Sequence, residues 1–420
     1  MSSPIRAEDV EAAAVLLHDL LDPTPLQPSA RHSTATGAHV LLKREDLQPV
    51  RSYKLRGAYT LIARLSPEQR AKGVVAASAG NHAQGVAYAC ARLGVQARIY
   101  LPRTTPRQKR DRVAALGGEH VEVVVGGDVY DDAAASALRH ARESGATVVP
   151  AFDHVDTMAG QGTVALEVVE QLGGAPDVVL VPVGGGGLLG GMATWFAEHH
   201  PTTKVVGIEP SGAASMSAAL EAGRPVAIGD VDPFVDGAAV REVGALTYAA
   251  VSATDAPVHS IAEGAVAVEM LALYQTEGIV TEPAGSLATA ALAAIDLDEL
   301  GVTPGSTVVA VVSGGNNDVS RYAEVVEKAL VHQGRKHYFL VDFPQEPGAL
   351  RRFLDEVLGP DDDIALFEYV KRSNRETGPA LVGVELGAPE DLDPLLRRME
   401  ASPVRIERIR PSSPLFRFIQ

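Results

Sequence analysis

Between about residue 40 and residue 320, short apolar runs rich in valine and isoleucine alternate with stretches of helical periodicity. Val74–Ala77, Arg98–Leu101, Val121–Val125, Thr147–Val149, Val178–Val183, Lys204–Ile208 and Thr307–Val312 read as strands, the last closing the unit. Asn81–Leu93, Arg107–Leu116, Tyr130–Glu143, Met158–Leu172 and Leu188–Glu198 read as helices, the first two ended by Gly94 and Gly117. Strands apolar at every position are buried on both faces, as in a parallel sheet covered by helices. An α/β fold with right-handed crossovers follows. Near residue 330 the pattern changes. Lys336–Phe343 reads as a strand, Pro347–Leu358 as a helix, Ile364–Lys371 and Ala380–Leu386 as strands, Glu390–Ala401 as a helix and Val404–Ile409 as a strand. That βαββαβ order is the ferredoxin-like plan of a small α+β domain. The polar stretch His332–Arg335 marks the boundary. Residues 1–330 are expected to form one domain, with a smaller lobe at about 50–150, and 335–420 another.

Composition narrows the classes. The 420 residues, 46% hydrophobic and 21% charged, describe a globular protein rather than a disordered or fibrous one. A formal charge of −16 repels phosphate backbones and anionic lipid, so nucleic-acid binding is not expected. The uncharged run Val178–Ala197 is long enough to cross a bilayer, but Pro182 and its glycines fit a strand, a loop and a helix better. The first apolar stretch, Val10–Leu21, is broken by Glu11, His18 and Asp19 and reads as a helix, not a signal segment. A lone cysteine, Cys90, excludes an internal disulfide and any multi-cysteine metal site and fits a cytoplasmic protein.

Four segments could carry chemistry. In Ser52-Tyr53-Lys54-Leu55-Arg56-Gly57-Ala58 a lysine lies between an aromatic ring and a leucine, a semi-apolar setting that frees an amine as nucleophile; a solvated surface lysine is the bland alternative. Ser78-Ala79-Gly80-Asn81-His82 lies where a strand gives way to a helix. Its free amides and side chains could cradle a carboxylate, unless Ser78 is only a helix cap. Gly184-Gly185-Gly186-Gly187 follows a strand and precedes a helix. Four glycines cost too much chain entropy for a plain turn and let amides turn inward on a phosphate dianion. Ser313, in Ser313-Gly314-Gly315-Asn316-Asn317, follows the last strand and could meet a ring nitrogen in the ligand crevice, or be a bare turn. A rival reading takes Gly185, Gly187 and Gly190 with Glu209 as a dinucleotide fingerprint. It sits several βα units into the chain and leaves Lys54 and the Ser78 loop without a role. His199-His200 before Pro201 fits a solvated helix end better than a metal pair, and no metal site is expected.

A lysine for an imine, a phosphate loop, a ring-nitrogen partner and a carboxylate loop together are the parts needed for pyridoxal 5'-phosphate with an amino acid. The four motifs in this order resemble the threonine dehydratase family of tryptophan-synthase-β-like pyridoxal enzymes. Phe343-Pro-Gln-Glu-Pro-Gly-Ala-Leu350 and Glu368-Tyr-Val-Lys-Arg372 resemble its ACT-like regulatory domain, present once as in the short biosynthetic form. Tyr53 stands where the family often has phenylalanine. The resemblance implies the two open parallel-sheet lobes of that fold and a role for each motif. Lys54 would carry the cofactor and then take the substrate α-proton. Asn81 would meet the pyridine 3-oxygen, Gly184 to Gly187 the phosphate and Ser313 the ring nitrogen. Ser78, with the amides of Ala79, Gly80, Asn81 and His82, would hold the α-carboxylate. Glu282, in Thr-Glu-Pro-Ala-Gly, would lie near the ring. The implied reaction turns L-threonine into 2-oxobutanoate and ammonia, the first step of isoleucine biosynthesis, with L-serine as a further substrate. Isoleucine and valine would act as opposed effectors, with Glu346, Pro347, Gly348 and Ala349 offering amides to their carboxylates. A homo-oligomer, tetramer or dimer, is implied too.

Relatives on the fold are separated by single residues. Serine racemases carry a second serine where this chain has Ala79. Their divalent site follows a residue matching Glu209, where this chain continues with Ala214 and Ser215. The alternatives are another pyridoxal β-eliminating or β-replacing enzyme such as a cysteine synthase, a nicotinamide dehydrogenase, or a non-enzymatic amino-acid sensor.

Overall fold

The computed structural model describes residues 3–369, 376–411 and 413–419. The chain divides into two compact units, Met1–Asn317 and Asp318–Gln420. The first unit holds two sheets. The larger contains β1 (Leu26–Pro28), β2 (His39–Arg44), β7 (Val178–Pro182), β8 (Lys204–Pro210), β9 (Val258–Ile261) and β10 (Thr307–Val312) in the order β1-β2-β10-β7-β8-β9. Every pairing is parallel except β1 on β2. The smaller contains β3 (Val74–Ala77), β4 (Ala97–Leu101), β5 (Val121–Val125) and β6 (Thr147–Val148), all parallel, in the order β5-β4-β3-β6. The two-lobed α/β expectation is met. The valine runs β7 and β10 are buried along nearly their whole length because helices cover both faces. β10, expected to close the unit, is the last of this unit's strands in sequence but central in the sheet, paired on both sides. The uncharged run 178–197 is β7, the glycine loop and helix Gly187–His199. Among the described residues no helix is long and apolar enough to cross a membrane.

The helices around the site start and stop for local reasons. Helix Asn81–Leu93 ends at Gly94, whose φ of 66° closes the last turn. Helix Arg107–Gly117 runs through Gly117 and is capped by Gly118, one residue beyond the expected stop. Helix Lys54–Arg64, which periodicity did not mark, packs its buried face between helices Asn81–Leu93 and Val155–Leu172.

The second unit carries β11 (Lys336–Pro344), β12 (Asp363–Tyr369), β13 (Thr377–Glu385) and β14 (Arg405–Ile409) in one antiparallel sheet ordered β12-β13-β11-β14. That is the strand order of the expected ferredoxin-like plan. Helices Ala349–Glu356 and Leu392–Ala401 follow β11 and β13. Phe343 sits in its core, its ring 5.3 Å from Phe353 and 5.9 Å from both Phe367 and Tyr369. The expected helix from Pro347 begins instead at Ala349, because Gly348 is its cap with φ 88°. Of the motif Glu368–Arg372, the last three residues lie outside the described residues. Helix Tyr322–His332, also unmarked by periodicity, belongs to this second unit.

Candidate active site

The four motifs arrive from different parts of the chain and are brought together by hydrogen bonds and, at the glycine turn, by packing of Phe152. Lys54 is the first residue of its helix, and its Nζ donates to the Ala151 carbonyl at 3.2 Å, 5.0 Å from the Tyr53 ring centre. The next residue, Phe152, rests on the glycine turn. A Cβ on Gly185 would lie 2.2 Å from its ring, and one on Gly187 would lie 3.2 Å from its Cα. Behind Lys54, Ser52 pairs with Gly314 as an isolated bridge, and the Tyr53 amide donates to the Ser313 carbonyl at 3.2 Å. The lysine, the glycine turn and the serine turn therefore share one region at the carboxyl ends of β7 and β10, where ligands of open α/β sheets bind.

The glycine turn requires its glycines. Gly186 has φ 86°, and a Cβ there would meet Met216 at 2.4 Å. A Cβ on Gly184 would meet the Ala238 backbone at 2.9 Å. Helix Gly187–His199 starts at once, so its first amides have no partner within the helix. Unpaired amides with the positive end of the helix dipole suit a dianion.

On the smaller lobe, Ser78 Oγ accepts from the Gly80 amide at 3.3 Å, and Gly80, not Ser78, is the helix cap. Nothing lies within 4 Å of where a Gly80 Cβ would stand. This loop thus presents open space, with the first-turn amides of helix Asn81–Leu93 beside it. The His82 side chain turns away. It is buried, hydrogen-bonded to the Val149 carbonyl at 2.8 Å, and burial holds its imidazole down at about 4, so its part in a carboxylate cradle is its amide alone.

Asn81 is fixed from both sides. Its Nδ2 donates to Glu282 Oε1 at 2.5 Å, and its Oδ1 accepts from Asn316 Nδ2 at 2.7 Å. Glu282 is buried just before the turn Pro283–Ser286, and its own backbone amide donates to the Gly314 carbonyl at 3.1 Å. Burial, and next the charge of Asp236, push its carboxyl up to about 7, against the Asn81 bond and the positive charges of Lys109 and Lys54. Glu282 and Asn316 are members of the site that spacing alone singled out weakly or not at all. Glu282 stands three residues from Gly285 and Asn316 two from Gly314, glycines that have no room for a side chain.

The set of groups fits pyridoxal phosphate. An amine whose one hydrogen-bond partner among the described residues is a carbonyl stands beside a glycine cradle with no room for added methyls. Ser313 Oγ is buried and among the described residues makes a single long bond, 3.2 Å, to the Ala284 carbonyl. Ser52 Oγ, two residues before the lysine, is buried with no partner among the described residues. The dinucleotide reading does not fit. Glu209 is fully buried and accepts from the Met216 and Ser217 amides, both at 3.0 Å, capping the next helix rather than facing a ribose. The same bonds take Glu209 out of a racemase-type divalent site. Among the described residues no group of three His, Cys, Asp or Glu side chains could hold a metal ion. Cys90 is buried, and burial raises its thiol to about 12, an inert position.

Residues 17–314 match the family model of pyridoxal-phosphate dependent enzymes, and residues 327–419 that of the C-terminal regulatory domain of threonine dehydratase. The chain is 59% identical over 423 residues to the biosynthetic L-threonine dehydratase IlvA of Mycobacterium tuberculosis, covering 100% of this chain and 97% of the relative. It is 56% identical over 420 residues to that of Corynebacterium glutamicum, covering 99% and 95%. Among solved structures, the processed form of threonine deaminase isoform 2 from Solanum lycopersicum matches with a TM-score of 0.72 at 40% identity, over 77% of this chain and 92% of that one. Site geometry and likeness over the full length agree, and the chain belongs to the biosynthetic threonine dehydratase family of pyridoxal-phosphate dependent enzymes.

Proposed function

We propose that this chain converts L-threonine to 2-oxobutanoate and ammonia at the site built on Lys54, as the first step of isoleucine biosynthesis. The observation that carries the reading is that contacts link the four sequence-distant motifs: Lys54 bonds to Ala151, whose neighbour Phe152 packs on Gly185, Tyr53 bonds to Ser313, and Asn81 bonds to Asn316 and, through Glu282, reaches Gly314. Pyridoxal phosphate, when bound, supplies a conjugated ring that takes up the electron pair left at Cα. Gly184 to Gly187 would hold its phosphate, Asn81 its 3-oxygen and Ser313 its ring nitrogen. Ser313 offers a neutral hydroxyl, which does not stabilise a ring-nitrogen proton as a carboxylate would. That favours loss of a β-substituent over transamination. Ser78 and the amides from Ala79 to His82 would hold the α-carboxylate and orient the Cα–H bond toward Lys54. The Lys54 amine would then accept that proton. The β-hydroxyl leaves as water, and water returns when the product imine hydrolyses, so ammonia is the net loss. Ala79, without a hydroxyl, offers no proton to the opposite face of Cα, which supports elimination without racemisation. L-Serine, shorter by one methyl, fits the same contacts.

We further propose that residues 1–330 do the chemistry and 335–420 regulate it, with isoleucine as inhibitor and valine opposing it, in a cytoplasmic homo-oligomer, tetramer or dimer. The loop Glu346-Pro347-Gly348-Ala349 would receive the effector carboxylate. Gly348 caps helix Ala349–Glu356, and Arg352 pairs with Glu346 beside it.

The test of the catalytic reading is spectroscopic. The purified protein is expected to show a visible absorption band that borohydride removes while labelling Lys54. Lys54→Ala is expected to lose the label and 2-oxobutanoate formation together. A colourless protein, or normal turnover by Lys54→Ala, would end this assignment.

A further inference from the structure

We propose that Arg56 is a positioning residue: it locks the first turn of helix Lys54–Arg64, and with it the direction of the Lys54 amine, through a buried ion network. The inference rests on the reading of Lys54 given above.

Arg56 is 1% exposed, and each of its five N–H groups has a partner. Nε and Nη2 donate to the two oxygens of Glu45, both at 2.8 Å. Nη1 and Nη2 donate to the two oxygens of Glu167, at 2.6 and 2.9 Å. The remaining Nη1 proton goes to Thr163 Oγ at 3.1 Å. Around this fork the acceptors are held in turn. Thr24 and Gln48 donate to Glu45, and the fully buried Lys43 donates to Glu167, to the Thr24 carbonyl and to Gln171. Two cations and two carboxylates leave the cluster neutral. Burial opposes ionisation of Glu45, but Arg56 and Lys43 hold its carboxyl down at about 2.

Such a cluster is a poor means of stabilising a fold. The desolvation of four charges offsets their attraction, and apolar replacement of buried ion pairs is often neutral or stabilising. What five directed bonds do supply is a fixed rotation and height for the turn that bears them. The backbone contacts around Lys54 need the same precision. Gly85 passes so close that a Cβ would lie 3.0 Å from the Lys54 carbonyl oxygen. A Cβ on Gly160 would lie 2.6 Å from the Arg56 carbonyl and 2.7 Å from the Gly57 Cα. These glycines let the helices slide as close as backbones allow, but smooth surfaces do not resist rotation. Arg56 does. A helix turned by about 20° would carry an amine roughly 7 Å from its axis by about 2.5 Å. Displacement of a reacting group by about 1 Å is enough to cost roughly 100-fold in rate.

Arg56→Lys keeps the charge balance but replaces a five-donor fork by three donors on a flexible stem. In the full-length, cofactor-loaded enzyme we expect kcat to fall about 10- to 100-fold with little change in KM for threonine. The share of borohydride-trapped cofactor on Lys54, read by peptide mass spectrometry, is expected to fall, and the pH midpoint of the visible band to move. A residue needed only for folding would alter the yield of folded protein and leave that midpoint in place. Thr163→Val is the second variant, since it removes one of the five bonds of Arg56 while leaving the guanidinium in place. It also removes the bond from the Thr163 hydroxyl to the Gly160 carbonyl, so it is expected to unfold a few degrees below the parent, remain folded at assay temperature, and show a smaller loss of kcat in the same direction. Either variant, folded and with the parent's kcat, labelling and midpoint, overturns the positioning role. If the parent itself carries no label on Lys54, the active-site reading fails first. Label on Lys54 in the parent with an unaltered Arg56→Lys sinks the positioning role alone.

Discussion

Glu282 shows how little of a residue's chemistry its sequence neighbours reveal. Thr-Glu-Pro-Ala-Gly gives no reason for a carboxyl raised to about 7; the cause is burial, then Asp236, 46 positions away. A carboxyl raised in the folded state costs no stability below its unfolded value of 4.5, where both states are protonated. The cost appears as pH rises through the window from 4.5 to about 7 and is constant above it. It is on the order of 3 kcal/mol. Glu282→Gln keeps an acceptor for Asn81 and removes the titration. In thermal unfolding of the cofactor-free chain, the variant is expected to match the parent near pH 4 and to gain stability over it progressively up to neutral pH. A difference that stays flat with pH would mean that the Glu282 carboxyl titrates alike in the folded and unfolded chain.

Among elements, the glycines of the site separate into two kinds that the sequence does not distinguish. Gly185 is pressed by the Phe152 ring, while Gly80 has an extended φ of −120° and empty space before it. Gly185→Ala is expected to destabilise by about 1–3 kcal/mol, as overpacking does, and to loosen retention of the cofactor, followed by loss of the visible band on dialysis. Gly80→Ala is expected to leave stability within about 0.5 kcal/mol and to raise KM for threonine, because its methyl enters the space where the carboxylate would lie. Equal behaviour of the two variants would contradict this division. The same contrast between what is local and what is not explains which elements were legible. β7 and β10 announce themselves because valine runs buried on both faces need no partner residue to be recognised. β2 was passed over because Lys43 and Arg44 end its apolar run. Both are buried there, Lys43 through Glu167 and Arg44 through Asp46, partners that lie elsewhere or beyond the strand. Helix Lys54–Arg64 was hidden likewise, since buried Arg56 stands where an amphipathic pattern would place solvent. Of the site, the Ser78 loop and Gly184 to Gly187 could be read from strand-to-helix junctions, Ser313 from the end of a strand and Lys54 from its apolar neighbours, but the Glu282–Asn81–Asn316 chain could not, because it joins three distant segments.

At the scale of the whole molecule, the division of the chain decides how regulation can be tested. A cut near Gly334 follows the polar stretch His332–Arg335 in the sequence. In the structure, helix Tyr322–His332 belongs with the second unit, burying Val325 and Ala329. Glu327 on that helix receives both the Tyr338 hydroxyl and the Lys336 ammonium of β11. A chain ending at Gly334 keeps the helix and removes the strand it packs on, leaving an apolar face and an unpaired carboxylate. A chain ending at Asn317 instead retains the first unit whole, with all four site motifs. The shorter chain is therefore expected to be the better behaved of the two in gel filtration, and to keep 2-oxobutanoate formation. Effector coupling of roughly 1–3 kcal/mol changes affinity about 5- to 150-fold. In the intact enzyme isoleucine is thus expected to raise the threonine concentration needed for half-maximal rate within that range, with valine reversing it. In the chain ending at Asn317 neither amino acid should shift it. Inhibition of that chain at the isoleucine concentration that inhibits the parent would place the effector in the first unit and refute a regulatory role for residues 335–420.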